Sequence, residues 1–217
     1  MSSSLTKILA DFAHQLSFKN LNPEVRDISI ISILDALACA FEGRRLPTSE
    51  ITLRVLDDLM KDGKATLWTE ARKGNFLDVA WANTLLVHSI LHDDTQWSVM
   101  GHMGSVIIPT AFAVGEQLNS SGTDVIAAIV AAYEVAGRIG RESSLAVVDR
   151  GFRGSGIFGP FASAVAAGKL MGLDADELAN AISCASTFSS GTLVSANNGT
   201  PEWRFEKKLF SLLRDAK

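Results

Sequence analysis

Apolar residues return along this chain every three or four positions, and that regularity decides the fold class. Leu5, Ile8, Leu9, Phe12 and Leu16 form the first such row, an amphipathic helix with one face to bury. Asn22 followed by Pro23 reads as a helix start, an N-cap with proline at the first helical position. The helix it opens runs through Ile30, Ile33, Leu34, Leu37 and Phe41 and stops near Gly43. Thr48 begins a third, Asp62 and Gly63 make a turn, and residues 65–68 form a short extended piece. Residues 76–92 read as one nearly all-apolar helix deep in the core, and residues 104–118 as another, with Pro109 in an early turn. Thr123 caps a long helix through Val125, Ile129, Ala132, Tyr133 and Ala136. Residues 156–171 are rich in Ala and Gly, which lets helices approach closely, and Asp174 caps a helix reaching about Thr187. Residues 189–200 are small, polar and loop-like, and residues 201–217 set basic side chains around Phe205, Leu209, Phe210, Leu212 and Leu213 as one short terminal helix. Strict two-residue alternation is almost absent. The expectation is an all-α fold.

Charge narrows the partners. A formal net charge of −4 gives no electrostatic reason to expect nucleic acid or an anionic membrane. A polycarboxylate substrate would then need local cations to hold it. No apolar run approaches the roughly 18–20 residues that span a bilayer, and the N-terminus lacks the basic flank and apolar core of a signal peptide. The expected compartment is the cytoplasm. Cys39 and Cys184 sit in apolar helical contexts without CxxC spacing and read as buried free thiols.

Titratable residues gather in one stretch, His88 to Thr95, followed by His102. His88 and His92, four apart, fall on one face of the expected helix, as metal-binding pairs do, and Asp93, Asp94 and His102 complete a possible shell. Three readings stay open: a hydrogen-bonded core histidine, a metal ligand, and a metal-free acid–base or substrate-binding group, for which imidazole suits because its ordinary pKa is about 6.5. Adjacent carboxylates at 93 and 94 suit the orienting of a histidine. A second candidate is the glycine-rich loop 149–156, which runs into a helix. Its open N–H groups and the side chains of Arg150 and Arg153 suit a carboxylate. It is not a nucleotide-type phosphate loop.

The succession of blocks HSILHDDTQ (88–96), GHMGSVIIPTAFAVGEQLNSSG (101–122), AAYEVAGRIG (131–140), RGFRGSGIFGPFASAVAAGKLMGLD (150–174), AISCASTFSSGT (181–192) and NNGT (197–200) resembles the MmgE/PrpD family over roughly residues 5–205. That family includes 2-methylcitrate dehydratase, cis-aconitate decarboxylase and iminodisuccinate epimerase. The resemblance implies a helical domain with a smaller α+β lid, a homodimer, and acid–base chemistry beside carboxylates without metal or organic cofactor. It implies His102 as the catalytic acid–base residue, from the family's H-P-[GS] motif, here with Met103 in place of proline. Asp93 and Asp94 match the D-x-D-D-T motif and would orient that histidine, while Thr95, Arg153, Arg204 and His88 would bind substrate. Three positions depart from the pattern. Leu91 stands where the motif begins with aspartate, Arg153 where a second histidine is common, and Trp203 where a lysine often contacts substrate.

Residues 1–205 are expected to form the family's N-terminal helical domain, incomplete, and 206–217 a divergent tail, with the lid missing. The expected function is a lyase, dehydratase-like, acting on a small di- or tricarboxylate. The alternative is a truncated, inactive homologue serving as a binding module or remnant. Loss of the remaining chain is expected to expose apolar helix faces and to promote self-association.

Overall fold

The computed structural model describes residues 4–194. Nearly everything in it is helical: α1 (Leu5–Gln15), α2 (Pro23–Gly43), α3 (Pro47–Leu59), α4 (Phe76–His88), α5 (Gly104–Leu118), α6 (Gly122–Gly140), α7 (Ser144–Asp149), α8 (Gly154–Leu170) and α9 (Ala175–Ala185). One antiparallel hairpin interrupts them, β1 (Ala65–Leu67) against β2 (Arg72–Gly74), with Thr66 opposite Lys73. The fold is all-α, as the periodicity requires. Among the described residues no helix is long and apolar enough to cross a membrane.

Helices α4, α5, α6 and α8 make the centre. α6 lies against α8, α8 against α5, and α5 against α4, while α1 with α9 and α2 with α4 flank them. Leu86, Ile107, Ile108, Ile129 and Val165 are fully or almost fully buried between these helices. Each such side chain contributes about 1.5–3 kcal/mol relative to leaving it in water. α6 and α8 lie in close contact, and both are rich in small buried residues, Ala128, Ala131 and Ala132 on α6 and Ala162 and Ala166 on α8, which suit a close approach of two backbones.

Capping explains most helix starts. Asn22 accepts from the Glu24 N–H with Pro23 just inside α2, and Asp174 with Glu177 forms a complete capping box on α9. Four details differ from the sequence reading. The cap of α6 is Ser121, accepting from the Asp124 N–H, rather than Thr123. The short helix α7 has no sequence signature that marked it. Cys39 is buried as expected, but Cys184 is exposed. Most important for the site, α4 ends at His88: Leu91 adopts a left-handed backbone (φ 57°), and His92 lies beyond the helix, exposed. His88 and His92 therefore share no helix face.

Candidate active site

The end of α4, the loop after it and the starts of α5 and α8 converge on one cluster. His88, the last residue of α4, has a side chain with no solvent exposure. The chain then reverses and brings Asp93 back against it: His88 Nδ1 lies 3.0 Å from each oxygen of the Asp93 carboxylate. Asp93 is itself almost completely buried. His102 lies beside them, its Nδ1 3.0 Å from the Asp93 backbone carbonyl and 3.5 Å from carboxylate Oδ1. Its ring stands edge-on to that of His88, 5.0 Å between centroids, and its side chain keeps 27% of its exposure. Arg153, the residue before α8, closes the group with Nη2 3.2 Å from His88 Nε2.

Two glycines allow this convergence. A Cβ on Gly154 would sit 2.0 Å from the Val99 carbonyl oxygen and 2.5 Å from that of Met100, so only glycine lets the start of α8 rest on loop 96–101. That contact puts Ser155 Oγ where it accepts from the His102 N–H at 2.8 Å. A Cβ on Gly104 would lie 2.4 Å from Asp94 Oδ1. With hydrogen there instead, the Gly104 N–H donates to that oxygen at 2.7 Å, at the first residue of α5. The other oxygen of Asp94 accepts from the Tyr133 hydroxyl at 2.7 Å. Burial, together with the Asp94 charge beside it, holds the Tyr133 phenol well above its ordinary range, so it stays a proton donor.

The sequence-derived residues thus separate. His88, Asp93, His102 and Arg153 meet in one cluster. Asp94 sits beside it but ties α5 to α6 through Gly104 and Tyr133. Thr95 and Arg150 are exposed. Arg204 and Trp203 lie outside the described residues. Tyr133 and Ser155 were not among the sequence candidates: each sits within an apolar or small-residue run, and only the tertiary contact shows its partner. The segment before the last described residue runs along the same loop, with the Arg153 N–H donating to the Gly191 carbonyl and the Leu193 N–H to that of Gly151.

Ligand atoms of His88, Asp93 and His102 all lie within 4.8 Å of one another, close enough to hold a cation. A guanidinium 3.2 Å from one of those imidazoles would repel a divalent ion, and it weighs against that use.

The family model of the MmgE/PrpD N-terminal domain matches residues 7–208. The chain belongs to the MmgE/PrpD family. Among relatives, it is 29% identical over 203 residues to cis-aconitate decarboxylase of Aspergillus terreus, covering 91% of this chain and 41% of that protein. To cis-aconitate decarboxylase of Homo sapiens it is 26% identical over 212 residues, covering 92% of this chain and 43% of the relative. The corresponding mouse enzyme is 26% identical over 208 residues, with 92% and 42% covered. The chain therefore spans about two fifths of the length of these relatives. In this MmgE/PrpD chain the motif position Leu91 is exposed at the reversal, and Arg153 occupies the cluster where the family pattern often has histidine.

Proposed function

We propose that this chain is the helical part of an MmgE/PrpD-type lyase that moves a proton at a carbon beside a carboxylate of a small di- or tricarboxylate. The observation that carries the reading is His102 held by Nδ1 over Asp93, partly open to solvent, with a buried arginine in the same cluster. Decarboxylation breaks a carbon–carbon bond to CO2 and leaves an electron pair that must accept a proton. Dehydration removes an α-proton and protonates the leaving hydroxide. Both need at least one proton-carrying group near cations that hold carboxylates. The relatives named as cis-aconitate decarboxylases favour decarboxylation of a cis-aconitate-like substrate over the dehydration that the sequence alone suggests. In this reading His102 moves the proton, Asp93 stabilises the imidazolium that forms, and Arg153 supplies positive charge. Asp94 orients the segment, and Thr95 and Arg204 complete the carboxylate contacts. The proposal extends to a homodimer working without metal or organic cofactor, as the family resemblance implies, and to the cytoplasm as its compartment, as the sequence reading expects.

A second reading, a catalytically inactive homologue acting as a binding module, is favoured by Leu91 and Arg153 at motif positions, since neither side chain can take up a proton. One experiment separates the two. The purified protein is incubated with cis-aconitate, and in parallel with 2-methylcitrate, while CO2 and products are followed by NMR. Turnover abolished by His102→Gln supports the lyase. Substrate binding without turnover supports the second reading, and neither binding nor turnover sinks both.

A further inference from the structure

We propose that His88 is a positioning residue, locked by Arg153 into one neutral tautomer, so that within this cluster only His102 carries a proton to and from substrate. The role given to His102 rests on the acid–base reading above, whereas the lock itself needs no substrate.

The argument starts from what each group can donate. A guanidinium has five N–H donors and no acceptor, and it stays protonated in proteins. Arg153 Nη2 lies 3.2 Å from His88 Nε2, so that nitrogen presents its lone pair. A neutral imidazole then carries its proton on Nδ1, and Nδ1 faces both oxygens of Asp93 at 3.0 Å as a donor. A second proton on Nε2 would set one N–H against another and place two cations 3.2 Å apart, around a side chain with no solvent exposure. The arrangement therefore runs from Arg153 to His88 to the Asp93 carboxylate, each donating to the next. His102 meets the same carboxylate, its Nδ1 3.5 Å from Oδ1. Its Nδ1 is the donor to the Asp93 backbone carbonyl, which directs its Nε2 away from Asp93. Arginine at 153, where the family pattern has a second histidine, thus turns a proton-carrying position into a clamp. It holds Asp93 as a fixed anion under His102.

The test is direct observation of the tautomer in the full chain labelled with 15N-histidine, with His88→Gln used to assign the resonance. The expected result is one protonated nitrogen, Nδ1, and one lone-pair nitrogen, Nε2, on His88 throughout the neutral range. A proton on Nε2, alone or in addition, overturns the proposal. Folded Arg153→Met is expected to let His88 take a second proton, and an unchanged His88 pattern there overturns the role of Arg153. Should that variant not fold, the wild-type spectrum decides by itself. None of these spectra requires turnover. Absence of lyase activity would therefore sink the proposed function and leave the lock standing, and a wrong tautomer would do the reverse.

Discussion

At the scale of single residues, the cluster makes His102 and Tyr133 separable by measurement. His102→Gln keeps a polar side chain at a partly open position, so its thermal melting should stay close to wild type. Turnover should fall by about 10²–10⁴-fold, the usual contribution of a positioned acid–base group. Tyr133→Phe removes the hydroxyl that donates to Asp94 inside the protein, leaving that carboxylate with one fewer donor. The expected loss is about 1–3 kcal/mol in denaturant unfolding. The same residue gives a pH signature. Its folded pKa is raised, so the protonated phenol's contribution is complete below the unfolded value near 10.0 and is lost as pH rises through the folded one. Wild type should lose melting temperature above about pH 10, and Tyr133→Phe should flatten that part of the curve. What the sequence made legible here were residue types able to donate, accept or carry a proton: His88, Asp93 and His102. The contact of Arg153 with His88 was not legible, because 65 positions separate the two. Nothing in a glycine-rich loop says where its arginine ends.

At the scale of elements, caps and periodicity gave the helices because their causes are local, a side-chain oxygen three residues from an N–H or an apolar row on one face. The end of α4 has no such local cause. Beyond Ser89, Ile90 and Leu91 continue the apolar character of the helix, and helical propensity alone would carry it to His92. The chain turns at Leu91 instead, where left-handed backbone costs roughly 1–2 kcal/mol, and the tertiary contacts of Asp93 with His88 and His102 offset it. The same dependence on neighbours makes Gly154 a sensitive position. Gly154→Ala sets a methyl against two backbone carbonyls that cannot rotate away, and overpacking of this kind costs about 1–3 kcal/mol. Loop 96–101 must then move off α8 and take His102 from Ser155. The variant should melt several degrees lower and lose activity beyond what its folded fraction explains. Activity scaling only with the folded fraction would show that the α8 contact is structural and does not position His102.

At the scale of the whole molecule, α2 is the helix that the described fold satisfies least. Its apolar residues go nearly all the way round, as in helices covered on several sides. Ala36, Cys39 and Ala40 are buried, yet Ile28, Ile31, Leu34 and Phe41 are each more than half exposed, and Ile51 and Leu59 on α3 add to the open apolar surface. Burial also separates the two thiols. Cys39, pushed up to about 11 chiefly by burial, should react with a thiol reagent only after unfolding, and exposed Cys184 should react at once. An open face on α2 is costly in water, since single soluble domains rarely show contiguous apolar patches of this kind. The relatives carry more than twice as much chain as this one, but in the 217-residue chain itself a second copy is the surface at hand. The chain should therefore associate with itself as concentration rises in sedimentation velocity. Ile31, 64% exposed, and Leu34, 60% exposed, lie one turn apart on the open face. The double variant Ile31→Lys and Leu34→Lys should reduce that association at little cost in melting temperature, because neither side chain leaves a packed core. A wild-type chain that stays monomeric at all concentrations and melts cooperatively would mean that the α2 face is tolerated in water, and the association argument would fail.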